Sequence, residues 1–87
     1  MNTITIKFYS DDGHGWAAVK RKMLDELGIM DKITPYSYQK GATVYLEEDC
    51  DFSSFMDAIR ASGITVNIKE IIHDGRSPIR SYDRFAI

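Results

Sequence analysis

Three groups of side chains in this sequence are of types and spacings that could do chemistry. The first is the loop Asp11-Asp12-Gly13-His14-Gly15-Trp16. An imidazole set between glycines is accessible, and its ordinary pKa lies near neutrality. His14 oriented by Asp12 could act as a general base or a binding contact. The plainer reading is a turn whose glycines serve backbone geometry, with Trp16 anchored in the core. The second group is the acid run Glu47-Glu48-Asp49-Cys50-Asp51. Its oxygens could hold a divalent cation, or present phosphate-like charge to a basic partner. A calcium loop needs regularly spaced oxygens closed by a bidentate Glu, and that order is missing. The plainer reading is a helix N-terminus, where acids are favourable. The third group is Arg76, Arg80 and Arg84, with Tyr82 and Phe85 among them. Guanidinium forks suit phosphate or carboxylate, and aromatic rings stack bases. The plainer reading is a solvated face with its rings packed on the body. The four-residue spacing aligns the arginines only on a helix, which Pro78 opposes.

Composition bounds these readings. The chain has 87 residues, 44% of them apolar, which fits one small domain spanning 1–87. No nucleophile accompanies His14, so no catalytic residue is assigned and no enzyme is expected. A P-loop, a dinucleotide glycine fingerprint and a Gly-x-Ser-x-Gly elbow are absent from the sequence, so no cofactor is expected. His14 and His73 lie far apart and Cys50 is the single cysteine, so no metal site is expected. A lone thiol makes no internal disulfide, which points to a reducing, cytoplasmic compartment. The acids around Cys50 oppose thiolate formation, and a packing role is expected for it. Met1 to Ser10 lacks the basic-then-apolar pattern of a signal peptide. No apolar stretch approaches the ~18 residues of a membrane span, so no membrane partner is expected. The formal charge of −2 hides a segregation. Glu47, Glu48, Asp49, Asp51 and Asp57 are crowded without a base between them, while Lys20-Arg21-Lys22 and the arginine tail are cationic.

The elements that must position these groups follow from periodicity. Ile4, Ile6 and Phe8 alternate with Thr3, Thr5 and Lys7, which predicts a strand over 2–9. Trp16, Val19, Met23, Leu24 and Leu27 share a helical face; the helix is expected over 20–27, with 16–19 open between strand and helix. Gly28 suits the position after a helix end. The β-prone runs 36–39 and 42–46 around Lys40-Gly41 predict a hairpin, with Tyr36, Tyr38 and Tyr45 as a cross-strand aromatic patch. Asp51 is the expected N-cap of a helix carrying Phe52, Phe55, Met56 and Ile59 and ending at Gly63. Ile64, Val66 and Ile68 alternate as a strand, with its end or a bulge near Glu70. Residues 73–87 form a less regular tail folded on the body. The sum is an α+β fold: a mainly antiparallel sheet of four to five strands with two helices packed on one face.

Tyr9-Ser10-Asp11-Asp12-Gly13-His14-Gly15-Trp16, Leu24-Asp25-Glu26-Leu27-Gly28-Ile29, Tyr36-Ser37-Tyr38-Gln39-Lys40-Gly41, Val44 through Asp51, and Ile79-Arg80-Ser81-Tyr82 together resemble a group of small proteins encoded by tailed bacteriophages. The similarity covers most of the chain. It brings no activity with it and assigns no catalytic residue. It implies a bacterial cytoplasm during infection, where single-domain phage proteins bind and redirect or block a host machine. The leading expectation is therefore a non-enzymatic accessory protein that binds a host protein, such as a defence nuclease, in the manner of anti-CRISPR inhibitors. Glu47, Glu48, Asp49 and Asp51 would form its acidic surface. The alternative is a nucleotide- or nucleic-acid-binding module using Arg76, Arg80, Tyr82 and Arg84. A small enzyme using His14 with Asp12 comes third. Oligomeric state is open; an exposed edge strand would make a dimer easy to form.

Overall fold

The computed structural model describes residues 2–87. Strand β1 (Thr3–Ser10) follows the predicted alternation, and a tight loop turns it into β2 (Gly15–Lys20). Residues 16–19 are therefore strand, with Ala17 opposite Phe8 and Trp16 opposite Tyr9. The spacing of three between Trp16 and Val19 reads as helical in sequence. In a strand it places them on opposite faces, and both are buried because each face of the sheet is covered there. Helix α1 is correspondingly short, Arg21–Glu26. It is followed by β3 (Tyr38–Lys40), β4 (Thr43–Glu47), α2 (Asp51–Ser62), β5 (Thr65–Ile72) and a two-residue strand β6 (Asp83–Arg84).

The class is α+β, but the sheet is larger and more mixed than the sequence predicts. Its six strands lie in the order β5-β1-β2-β4-β3-β6. Neighbours are antiparallel except β1 and β5, which run parallel from Thr3 opposite Thr65 to Ser10 opposite Ile72. The reason is α2, which carries the chain from β4 back across the sheet to the far edge and so restores the strand direction. The predicted break near Glu70 does not occur. Lys69 to Ile72 stay on the backbone ladder with β1, and on this edge strand Ile68 and Ile72 remain exposed, so burial enforces no alternation.

Both helices bury their apolar stripes against one face of the sheet. Leu24 of α1 and Phe55 and Ile59 of α2 meet Ile6, Ala17, Val19, Val44 and Leu46. Two glycines fix the geometry. Gly63 ends α2 in the left-handed region at φ 73°, which an L side chain adopts at a cost. Gly15 lets the Phe8 ring lie against the backbone; a Cβ there would come within 2.5 Å of that ring. The tail then leaves β5, crosses the opposite face of the sheet through a 3-10 turn at Pro78–Ser81, and joins the far edge as β6. Phe85 re-enters the helix-side core.

Phe55 is fully buried at the centre of that core. Phe55→Ala is expected to cost about 3–5 kcal/mol through lost burial and a residual cavity. Urea unfolding checks this, with a lowered midpoint and an unchanged slope.

Candidate functional site

The strap of residues 77–82 is held by one carboxylate. Asp11 Oδ2 accepts hydrogen bonds from Arg80 Nε at 2.7 Å and the Ser77 amide at 2.9 Å. Asp11 Oδ1 accepts from Arg80 Nη2 at 2.8 Å and from the amides of Gly13 and His14 at 3.1 and 3.0 Å. The bond to Gly13 is an Asx turn, which suits an Asp two residues before a glycine. The Arg80 fork is the main cause that holds the Asp11 carboxyl far below the usual carboxylate range; burial opposes it, and the three amides add to it. Asp11, rather than Asp12, thus organises the loop, and Asp12 is exposed. Arg80, a candidate for binding phosphate, spends its fork on Asp11 and lays its guanidinium 5.7 Å from the Trp16 ring centroid.

Beside the strap lies a cleft of about 310 Å³, and the three sequence groups converge on it. His14 comes from the loop, Glu47 and Asp49 from the acid run, and Arg80 and Arg84 from the tail. Its floor is Trp16, only 3% exposed, with Tyr38 edge-on at 6.1 Å between centroids. Arg84 lies 4.7 Å over the Tyr38 ring. Tyr36 stands at the margin with 69% of its surface exposed. Arg76 is exposed but outside the cleft. Tyr82 packs against Tyr45 at 5.2 Å, and Tyr45 against Tyr9 at 6.1 Å. Desolvation first, then the neighbouring phenols of Tyr82 and Tyr9, push the Tyr45 hydroxyl above its ordinary pKa. Of the predicted aromatic patch, Tyr38 and Tyr45 are direct cross-strand partners, while Tyr36 precedes the strand.

The acid run divides in two. Asp51, expected on an acidic surface and as an N-cap, is instead buried as the first residue of α2. Its carboxylate accepts from the Thr34 amide, the Thr34 hydroxyl and the Ser37 hydroxyl, and so ties the segment before β3 to the helix. Ser37 in turn accepts from the Glu47 amide at 3.0 Å. Glu47 folds its own carboxylate over the start of α2, accepting from the amides of Asp49 at 2.9 Å and Cys50 at 2.6 Å. The true N-cap, Cys50, uses no side-chain bond and is exposed rather than packed. Glu48 and Asp49 are left with exposed side chains. Among the described residues, no three His, Cys, Asp or Glu side chains gather as a metal cluster. None of the described helices is long and apolar enough to cross a membrane.

No family model, curated protein or solved structure matches the chain.

Two substitutions separate the structural carboxylates from the free ones. Asp51→Ala strands the Thr34 and Ser37 donors and is expected to cost about 3 kcal/mol, read by urea denaturation. Asp11→Asn loosens the strap and lowers the melting temperature at pH 7. Because the folded-state pKa of Asp11 is depressed, its contribution is complete above the unfolded value of about 3.9 and is lost as pH falls below it. The gap in melting temperature between wild type and Asp11→Asn is therefore expected to shrink from pH 5 to about pH 2.

Proposed function

We propose that this chain is a non-enzymatic binding protein that docks on a protein of its bacterial host, with the cleft beside the strap as its contact surface. The observation that carries the reading is Tyr36, an exposed aromatic beside the Arg84–Tyr38 stack and above buried Trp16. Tyr, Trp and Arg are the residues that dominate binding energy at protein interfaces, the rings because they offer large contact area at small entropic cost and Arg because its planar fork both stacks and hydrogen-bonds. Trp16 and Tyr38 hold the stack rigidly, so little ordering is required on association. Arg84 and Asp49, which both line the cleft, give it both signs of charge, which sets orientation more than affinity. The acidic contribution of the cleft narrows to Asp49, since Glu47 and Asp51 serve the start of α2 and Glu48 lies outside the lining.

The reading through the arginine tail gains less from the geometry, with Arg80 committed to Asp11 and Arg76 apart from the cleft. Inhibition of a defence system, as expected from the resemblance to phage proteins, is one form that docking of this kind would take.

The test is affinity capture from bacterial lysate with the tagged wild type and with Tyr36→Ala, Arg84→Glu and the pair Glu48→Lys, Asp49→Lys. The wild type is expected to hold one protein in stoichiometric amount. Tyr36→Ala is expected to weaken that complex about thirtyfold, as for a hot-spot residue. If no stoichiometric partner appears, or if Tyr36→Ala and Arg84→Glu hold it at full strength, the reading fails.

A further inference from the structure

We infer that the part of the open sheet face left bare by the strap is a binding site for single-stranded nucleic acid, independent of the protein-binding cleft. The register assembles it. One row of the sheet runs Lys69, Lys7, Ala18, Tyr45, Tyr38, Arg84 across all six strands. The small side chain of Ala18 in the middle of that row leaves a concavity of about 450 Å³ between β1, β2 and β4. Tyr9 and Tyr45 wall it, Lys7 and Lys20 rim it, Ile4, Ile6, Val19 and Met23 reach it from the helix side, and its lining contains no acid. Lys40 joins on the next row, opposite Thr43 and Lys20, and lies 4.8 Å over the Tyr82 ring at the strap's edge. In a chain of net charge −2, a face with four lysines and no carboxylate in its hollow is a local excess of positive charge.

The occupant follows from chemistry. Lysines around an apolar hollow pair with a backbone of repeated negative charge, while Tyr9 and Tyr45 at its wall offer ring surface to bases freed from a duplex. A duplex would present its phosphates but keep its bases stacked within. A sheet is also a flat platform across which a flexible strand can lie, as open sheet surfaces elsewhere carry single strands on aromatic side chains.

The probe is a fluorescein-labelled dT20 oligonucleotide, followed by anisotropy at 50 to 200 mM salt, with full-length protein. Micromolar binding is expected, with log affinity falling against log salt at a slope near −3, about −0.7 for each of four lysines. The pair Lys7→Glu, Lys20→Glu is expected to lose at least tenfold in affinity, whereas Lys7→Arg, Lys20→Arg retains it. Both lysines are exposed, so an unchanged melting temperature is expected for both pairs. Four results overturn the inference: no binding at 50 mM salt; full binding by the Glu pair; equal affinity for a blunt duplex of the same length; or equal affinity for poly-glutamate, which would make the face a site for acidic polypeptide. Tyr36→Ala is expected to bind the oligonucleotide normally, so failure of the cleft reading leaves this one standing.

Discussion

A sheet has two faces, and this chain has helices for one of them. With 87 residues, α1 and α2 cover a single side, and the other would leave Trp16 in water. The Asp11 carboxylate resolves the conflict. It gathers two guanidinium donors and three amides from positions up to 69 residues apart, and so pins the tail over Trp16 and buries Ile79. Charge-assisted bonds of this kind are strong and directional. The same contact closes the loop after β1, sets the height of the strap and divides the open face into a cleft on one side and a concavity on the other.

The second anchor, Asp51, works by the opposite logic. It lies in the helix-side half of the molecule, where a charge without partners would be costly. Three donors satisfy it, and two of them are hydroxyls whose protons rotate to suit. The segment before β3 is thereby fastened to α2, and Tyr36, two residues after Thr34 and one before Ser37, is held at the cleft margin between fixed points. Acids that look equivalent in the sequence thus serve different ends: Asp51 orders the connection, Glu47 closes the helix start, and Glu48 and Asp49 face solvent.

Local periodicity made β1, the Phe52–Ile59 stripe of α2 and the two glycines after the helices legible, because each signal lies within a few residues of its cause. The Trp16–Val19 segment was ambiguous because its burial comes from two different layers, one of them the distant tail. Parallel pairing of β1 with β5 leaves no local mark, since the partners are some sixty residues apart and joined through an intervening hairpin and helix. Asp11 and Asp12 carry the same side chain, and what separates them is the arrival of Arg80. The Asx-turn spacing to Gly13 was the available clue. The lysine face was likewise present as an alternation, Lys7 with Tyr9 on the outward positions of β1, but a row across six strands exists only once the register is set.

The strap also explains how so small a molecule can carry two surfaces. Tyr82 belongs to both halves of the open face: it packs on Tyr45, which walls the concavity, and leads directly into β6, whose Arg84 stacks on Tyr38 in the cleft. The two surfaces differ in electrostatic character because different strands supply them. The cleft draws on the loop and the start of α2, where carboxylates and His14 mix with arginine. The concavity draws on β1, β2 and β4, where lysine and tyrosine stand beside apolar side chains and without acids. A partner bound in the cleft would lean on the same strap that borders the lysine face, and the strap has one principal anchor at Asp11 and one edge pairing at β6. The two surfaces also meet within the sheet, because Tyr38 of the cleft is the direct cross-strand partner of Tyr45 in the concavity, so the Tyr45–Tyr82 contact is one link among several between them.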